Sequence, residues 1–473
     1  MPLKRREKTR ARWLETLASH RRDFDAPASE DFWSPSLDTA SRDELTNIQN
    51  TKLAVLTPFL YENSGFYRRR FDRLGMTPED IRTIDDLPKW PVIDKAEMME
   101  DAIQYPPYGT YATMSEELWR ERGWMQFSSS GSTGIARIFR YSHIDRGYWE
   151  WANARALYSM GIRRGDTVFP MGGFGPHVWQ WGVTYSLARM GIAMIPGGGM
   201  DARARATVIE RFKPSVVACT PSYALHLGQV MKDMGGDPNK SSIQTLFTAG
   251  EPALGIEKTR ERLENLWGCR LVEFYGCTEV SPHCGGYTCP ASAQRDRPVS
   301  IHLMEDVQIW ELVDDSEHQP VQGGESGLTV CTSLNSESSP QLRFLVGDYT
   351  RFDHSVCDCG RTHVRAIGAC TGRADDIINI RGIKLLPSHI EQAVRAIAGT
   401  GDEFEIVLST KSDGLDVMTI RVEHPELNIA HIATSVAKEV RSRCEIRVDV
   451  EVLAPGTLPK TEFKAKRVRD ERR

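Results

Sequence analysis

The sequence predicts an α/β protein: a large amino-terminal region of α/β layers with a distorted β portion, followed by a small α+β unit. Three observations predict it. From about residue 123, short β-prone runs alternate with helical stretches, each run delivering a turn rich in Gly, Pro or small polar residues. Around residues 300–350 helical patterning thins, and 306–313 and 327–332 read as antiparallel strands joined by the acidic turn Asp314-Asp315-Ser316-Glu317. After Gly372-Arg373-Ala374-Asp375-Asp376 a unit of about a hundred residues starts a pattern of its own. The expected domains are 1–374, with a helical lead-in over 1–120, and 375–473.

Composition supports more than one core. A chain of 473 residues exceeds what a single hydrophobic core usually fills. With 26% charged and 40% hydrophobic residues it reads as an ordinary globular protein. Lys and Arg number 59 against 64 Asp and Glu, so no nucleic-acid face is implied. The amino terminus, Lys4-Arg5-Arg6-Glu7-Lys8, is basic but precedes no long apolar run, which reads as a solvated helix start or a floppy tail and not a targeting signal. No run approaches a membrane span, so a cytoplasmic location with no membrane partner is expected. Ten cysteines are unevenly placed, none before Cys219, with Cys277, Cys284, Cys289, Cys357 and Cys359 crowding the middle. Such clustering suggests metal binding or reactivity before disulfides.

The β-prone runs define the α/β layers in order. Asp166-Thr167-Val168-Phe169-Pro170-Met171 leads into Gly172-Gly173-Phe174-Gly175, and Gly191-Ile192-Ala193-Met194-Ile195-Pro196 into Gly197-Gly198-Gly199. Ser215-Val216-Val217-Ala218-Cys219 meets Thr220-Pro221-Ser222, Thr245-Leu246-Phe247 meets Thr248-Ala249-Gly250-Glu251-Pro252, and Leu271-Val272-Glu273-Phe274 meets Tyr275-Gly276-Cys277-Thr278-Glu279. Ligands bind beyond the carboxyl ends of strands in parallel sheets, where these turns belong. In the small unit a helix follows Arg381-Gly382-Ile383-Lys384, with Ser388-x-x-Glu391 spaced as a capping box and Ile390, Val394 and Ile397 on one face. Strands at 405–409 and 416–423, a helix at 429–443 and a strand at 445–452 complete it before a basic, turn-rich tail.

The stretch Phe127-Ser128-Ser129-Ser130-Gly131-Ser132-Thr133-Gly134 can aim backbone N–H and side-chain O–H groups at a polyanion. By itself it reads as a surface loop, where Ser/Gly-rich turns are common. Neither a Gly-x-x-x-x-Gly-Lys-Ser/Thr loop nor a Gly-x-Gly-x-x-Gly turn opening a helix is present, which disfavours P-loop and kinase chemistry.

Six separated motifs follow one another: Ser129-Ser130-Gly131-Ser132-Thr133-Gly134; Gly250-Glu251-Pro252; Tyr275-Gly276-Cys277-Thr278-Glu279; Gly347-Asp348; Gly372-Arg373-Ala374-Asp375-Asp376 with Arg381-Gly382; and Leu458-Pro459-Lys460-Thr461-Glu462-Phe463-Lys464. This order resembles the adenylate-forming superfamily of acyl-CoA synthetases and adenylation domains. Thr220-Pro221-Ser222-Tyr223-Ala224-Leu225, Cys357-x-Cys359-Gly360-Arg361-Thr362 and the segment Arg381 to Glu391 further resemble its phenylacetate–CoA ligase family. The resemblance implies an adenylate-forming large domain and a small mobile lid. It also implies that ATP and a carboxylic acid give acyl-AMP and pyrophosphate, after which the thiol of coenzyme A displaces AMP.

Residue roles follow from the same resemblance. Ser129, Ser130, Gly131, Ser132, Thr133 and Gly134 would hold the β- and γ-phosphates, and Thr278 and Glu279 would face the α-phosphate, Glu279 through Mg²⁺. Tyr275, with Gly276 and Cys277, would stack on adenine, Gly250, Glu251 and Pro252 would line the base, and Asp348 with Arg373 would meet the ribose. Lys464 would reach the carboxylate oxygen and α-phosphate, with Asp375 as the hinge. Two departures stand out: Ile135-Ala136-Arg137 replaces the usual Lys-Pro, making Arg137 the substitute cation, and Phe463 replaces a Gly. Spacing from Leu458-Pro459 favours Lys464 over Lys466.

Cys357 and Cys359 offer two thiolates on one turn, and a structural Zn²⁺ needs four ligands. The resemblance selects Cys289 and His302 for the others, with His283, Cys284 and His363 competing. Phe174, His177, Trp179 and Trp181, beside Gly198 and Ala249, offer aromatic surface to an aryl or arylacetic acid. The expected partners are that acid, ATP and CoA, with a carrier protein and a homodimer left open. Delivery to a carrier thiol or an amine, or an inactive binding protein of this fold, are the alternative functions.

Overall fold

The computed structural model describes residues 2–129, 137–280, 285–296, 298–369, 372–381, 383–411, 415–425, 429–460, 465 and 467–472. They fall into two compact units, Met1–Gly198 with Phe274–Gly368, and Gly199–Glu273 with Ala369–Arg473. Among the described residues no helix is long and apolar enough to cross a membrane.

In the first unit the helical lead-in is present. Its longest helix, Arg42–Asn63, starts at a reciprocal capping box: Glu44 N–H donates to the Ser41 hydroxyl while Ser41 N–H donates to the Glu44 carboxylate. Helix Pro2–His20 lies against it, with Trp13 stacked on Phe59 at 5.0 Å between ring centroids. Buried charge fastens this layer to the β portion. Lys52 Nζ donates to the Asp306 carbonyl at 2.6 Å and to Asn335 Oδ1 at 2.9 Å, and Arg155 bridges Asp38 and Asp306 at 2.8 Å each. Burial lowers the Lys52 ammonium to about 8. Buried charges of this kind persist only when paired, and each is.

The β portion is antiparallel. Strand Gln308–Val313 pairs with Ser326–Ser333, that with Phe344–Asp353, then Arg365–Ile367, Ser300–Leu303, Gly286–Tyr287 and the end of Arg270–Tyr275. The acidic connection turns on Asp314, whose carboxylate accepts N–H bonds from Ser316, Glu317 and Gln319. Elsewhere in this unit Thr167–Pro170 runs parallel to Ala193–Met194 with helix Val178–Met190 as the crossover.

The second unit contains the parallel pair Val216–Cys219 and Thr245–Ala249, both wholly buried, with helices Ala202–Phe212, Pro221–Asp233 and Glu257–Trp267. Its carboxyl-terminal part has a four-stranded sheet in the order Asp449–Leu453, Asp416–Glu423, Phe404–Thr410, Val468–Asp470. Helices Pro387–Arg395 and Ile429–Cys444 close a core that includes Ile390, Val394, Ile406, Ile420, Val436 and Val440. The apolar helix face read from Ile390 and Val394 is therefore buried.

Two local expectations are corrected. Ser388 is not a capping residue: the helix starts at Pro387 with Leu386 at the cap and no side-chain cap bond. Proline at the first position is preorganised for the turn, and the N–H it lacks is one the helix would leave unpaired there. Glu391 instead accepts from Arg395 Nε at 2.7 Å and Thr259 Oγ1 at 2.8 Å, fixing this helix to Glu257–Trp267. The strand expected at 445–452 begins at Asp449, because the preceding helix runs to Cys444 and Glu445 takes a left-handed φ of 57° before extended backbone resumes.

Candidate active site

A hairpin presents the first part of the site. Gly123–Ser128 pairs antiparallel with Ile138–Ser142, and Ser129 N–H donates to the Arg137 carbonyl at 3.1 Å. The ladder thus closes the base of the connection; Ser130, Gly131, Ser132, Thr133 and Gly134 lie outside the described residues. Arg137 turns its guanidinium onto the Glu279 carboxylate, Nη2 to Oε1 at 2.5 Å, with the two side chains only 6% and 8% exposed. Among the described residues, Arg137 Nη1 and the Ser129 hydroxyl are buried with no hydrogen-bond partner. Each is a donor that an anionic oxygen would satisfy, one on Arg137 itself and one on the residue whose backbone N–H it receives.

Glu279 sits in the turn after strand Arg270–Tyr275, and the Thr278 carbonyl accepts from the Tyr141 hydroxyl at 2.8 Å. The Tyr275 hydroxyl donates to Asp348 Oδ2 at 2.7 Å, and Asp348 N–H donates to Thr329 Oγ1 at 3.1 Å. The structure therefore joins Tyr275 directly to Asp348. Gly276 is exposed and Cys277 half-buried in the same turn.

In the second unit the Thr220-Pro221-Ser222 motif is a helix start. Thr220 Oγ1 accepts from Tyr223 N–H, Pro221 takes the first helical position, and Ser222 donates its N–H at 3.1 Å and its hydroxyl at 2.6 Å to Glu251 Oε2. The other Glu251 oxygen accepts from Ala465 N–H. Ala465 follows Lys464 in the chain; Lys464 itself lies outside the described residues, as does the Asp375 side chain. Ala249 ends the strand that leads into this turn, Gly250 and Pro252 belong to the turn, and half-buried Arg373 precedes the short helix Ala374–Asp376.

Glu273, which the sequence reading passed over, supports the same turn by accepting N–H bonds from Ala253 and Leu254 at 3.3 and 2.8 Å. Burial raises its carboxyl from 4.5 to about 7.

The aromatic segment gathers around a glycine turn. A Cβ on Gly172 would fall 2.8 Å from Trp179 Cδ1, and one on Gly198 would fall 2.9 Å from Phe174 Cδ2, so both positions accept only glycine without rearrangement. Phe174 packs edge-on against Trp181 at 4.9 Å yet is 41% exposed, and Trp179 approaches Phe274 at 6.2 Å. His177 caps helix Val178–Met190 by position only and is exposed. The next buried residue, Gln180, was not singled out by sequence; nothing local marks it.

Four soft donors converge elsewhere in the first unit. The ligand atoms of Cys289, His302, Cys357 and Cys359 lie within 4.8 Å of one another, with Cys289 Sγ 3.8 Å from Cys357 Sγ and Cys359 Sγ 3.6 Å from His302 Nε2. Burial lowers the His302 pKa and favours the neutral ring a metal needs, and hydrogen bonds from Cys289 and Cys357 push the Cys359 thiol below its ordinary value. The set could hold a metal ion. His363 is committed elsewhere, its Nδ1 accepting from Glu305 N–H at 3.1 Å; His283 and Cys284 lie outside the described residues.

The Glu273 environment gives a pH signature. Because its folded pKa lies above the unfolded value, both states are protonated below pH 4.5, and stability falls as pH rises from 4.5 to about 7. Glu273→Gln keeps the acceptor for both N–H groups and removes the ionisation. It is expected to match the parent near pH 4.5 and exceed it by about 3 kcal/mol at pH 8 in urea unfolding; parallel pH profiles for the two proteins would contradict this.

The AMP-binding enzyme family matches residues 129–333, and the AMP-binding enzyme C-terminal domain matches residues 382–472. A phenylacetate–coenzyme A ligase of Thermus thermophilus is 29% identical over 461 residues, spanning 93% of this chain and 100% of that one. A 2-hydroxyisobutyryl-CoA ligase crystallised in its postadenylation state with R3-HIB-AMP has a TM-score of 0.87 at 26% identity, covering 95% of each chain. The same ligase with 2-HIB-AMP and CoA in the thioesterification state has a TM-score of 0.71 at 27% identity, covering 96% of this chain and 95% of that one. The chain belongs to the AMP-binding enzyme family, in its phenylacetate–CoA ligase-like group of AMP-forming acid–thiol ligases.

Proposed function

We propose that this chain activates an aromatic carboxylic acid, aryl or arylacetic, with ATP and transfers the acyl group to coenzyme A. The observation that carries the phosphate chemistry is the buried Arg137–Glu279 pair with two unsatisfied donors at the base of the Ser/Gly connection. In the first half-reaction a carboxylate oxygen attacks the α-phosphorus and pyrophosphate leaves; in the second the CoA sulfur attacks the acyl carbonyl and AMP leaves.

Ser129 and Arg137, with Ser130 to Gly134, hold the outgoing phosphates, and Arg137 supplies the cation that the usual loop lysine would provide. Lys464 neutralises charge as the acyl-adenylate forms, and the Glu251 bond to Ala465 N–H supports this by anchoring the chain one residue later. Thr278 faces the α-phosphate. Tyr275, Gly276, Cys277 and the turn Gly250 to Pro252 receive adenine, with Asp348 and Arg373 at the ribose and Asp375 as the pivot. Glu279 would hold Mg²⁺, a hard cation that would offset phosphate charge.

The aromatic reading rests on Phe174, Trp179 and Trp181 around the Gly172 turn, and on the phenylacetate–coenzyme A ligases among the relatives. A short branched hydroxy acid is the second reading, favoured by the solved 2-hydroxyisobutyryl-CoA ligase. Pyrophosphate release with aromatic and branched aliphatic acids, with and without CoA, decides. Release with an aromatic acid, enhanced by CoA, is expected. Release indifferent to CoA would favour a carrier protein or amine as acceptor, and no release with any acid would leave a binding protein.

Arg137→Ala removes the cation and strands Glu279 in a buried setting, so kcat/KM for ATP should fall about 100-fold. Arg137→Lys should recover part of it. An unchanged ATP dependence in Arg137→Ala would remove Arg137 from the phosphate site.

Cys289, His302, Cys357 and Cys359 are the donor set of a closed structural zinc site, which would tie Ser300–Leu303 to the turn at Cys357. Metal analysis should find about one zinc per chain, and Cys357→Ser should lose it and lower the melting temperature. Under about a tenth of an equivalent would exclude the site.

A further inference from the structure

Gln180 is 1% exposed, and among the described residues neither Oε1 nor Nε2 of its amide has a hydrogen-bond partner. Leaving a buried donor and a buried acceptor both unsatisfied is costly, and a core position would be filled more favourably by an apolar side chain. The location is specific. Gln180 lies in the first turn of Val178–Met190, beside Trp179, and a Cβ on Gly172 would fall 2.7 Å from its Oε1. Its amide therefore abuts the glycine turn around which Phe174 and Trp179 gather. One helical turn further along the same face, Thr184 Oγ1 is also buried without a partner among the described residues. Two successive turns of this helix face thus carry buried polar atoms that are unpaired among the described residues.

We infer that Gln180 is a specificity-determining residue that selects acids carrying a hydroxyl group on the acyl portion. This rests on the proposal that the Gly172 turn borders the acid site. A hydroxyl is the smallest substituent that both donates and accepts, so it can donate to Oε1 and accept from Nε2. An acid without it leaves the amide buried and unpaired in the complex, and sites of that construction discriminate strongly against the deoxy analogue. The aromatic surface then supplies affinity, and Gln180 supplies the choice among acids of similar shape.

The test compares phenylacetate and benzoate with their ring-hydroxylated and α-hydroxylated counterparts, in the parent protein and in Gln180→Met, which is close in volume and apolar. Pyrophosphate release gives kcat/KM. Calorimetric titration of each acid with α,β-methylene-ATP present gives affinity without turnover. The parent should favour at least one hydroxylated acid over its deoxy partner by about tenfold or more. Gln180→Met should compress that ratio to near one with the KM for ATP unchanged. Thermal melting should show no loss of stability in the variant, since an unsatisfied amide has been removed. An equal fall for both members of each pair would mean that Gln180 serves only a structural water, and would overturn the inference. So would a parent protein that shows no preference or binds none of the acids, a result that stands even if the variant fails to fold. A Gln180-dependent binding preference without pyrophosphate release would instead reject the ligase reading and leave the inference standing.

Discussion

The buried pairing of Arg137 with Glu279 is the contact on which the first unit's site depends. It joins the end of a hairpin to a turn 142 residues later, at a position where both charges have left water. Neither partner is tolerable there alone, because an isolated buried charge costs several kcal/mol. The consequence is positional. Arg137 can hold Glu279 only if Gly123–Ser128 and Ile138–Ser142 pair in the observed register, and that register also fixes Ser129 at the mouth of the connection. The two orphaned donors, Ser129 Oγ and Arg137 Nη1, are thus set by the same ladder that sets the ion pair.

A similar economy holds the two charged layers together. Asp306 receives Lys52 through its carbonyl and Arg155 through its carboxylate, and Arg155 spans to Asp38. Its carboxyl is held down to about 2: burial opposes this, but the Arg155 charge prevails. The helical lead-in, whose chemistry the sequence left opaque, is therefore an integral support of the β portion.

How much of this was legible follows from the range of each interaction. The antiparallel strands around the acidic turn, and strand 416–423, were visible because alternation and turn chemistry act within a few residues. The Ser388-x-x-Glu391 spacing misled because the same carboxylate had stronger partners, Arg395 one turn on and Thr259 from a distant helix, while Pro387 had already opened the helix. Cys357-x-Cys359 was local and readable. That Cys289 and His302 join it is a tertiary fact, which the resemblance supplied and spacing could not. Gln180 carried no signal at all, since being buried without partners is a property of the folded surroundings.

Glu251 shows where motif reading needs geometry. In the sequence it belongs to a turn that, by resemblance, lines an adenine. In the structure both carboxylate oxygens are occupied, one by the N–H and hydroxyl of Ser222, the other by Ala465 N–H. A carboxylate so engaged has little capacity left for a base. Its observed work is to fasten the first turn of Pro221–Asp233 to the tail beside position 464. Glu273, behind the same turn, holds the backbone of Ala253 and Leu254, so the turn is braced from both sides by acidic side chains. The physical content of the Thr-Pro-Ser and Gly-Glu-Pro motifs is then a single clamp. A capped helix start presents Ser222, Ser222 orients Glu251, and Glu251 sets where the tail can rest. Replacing any one of the three would displace the tail before it altered contact with a base.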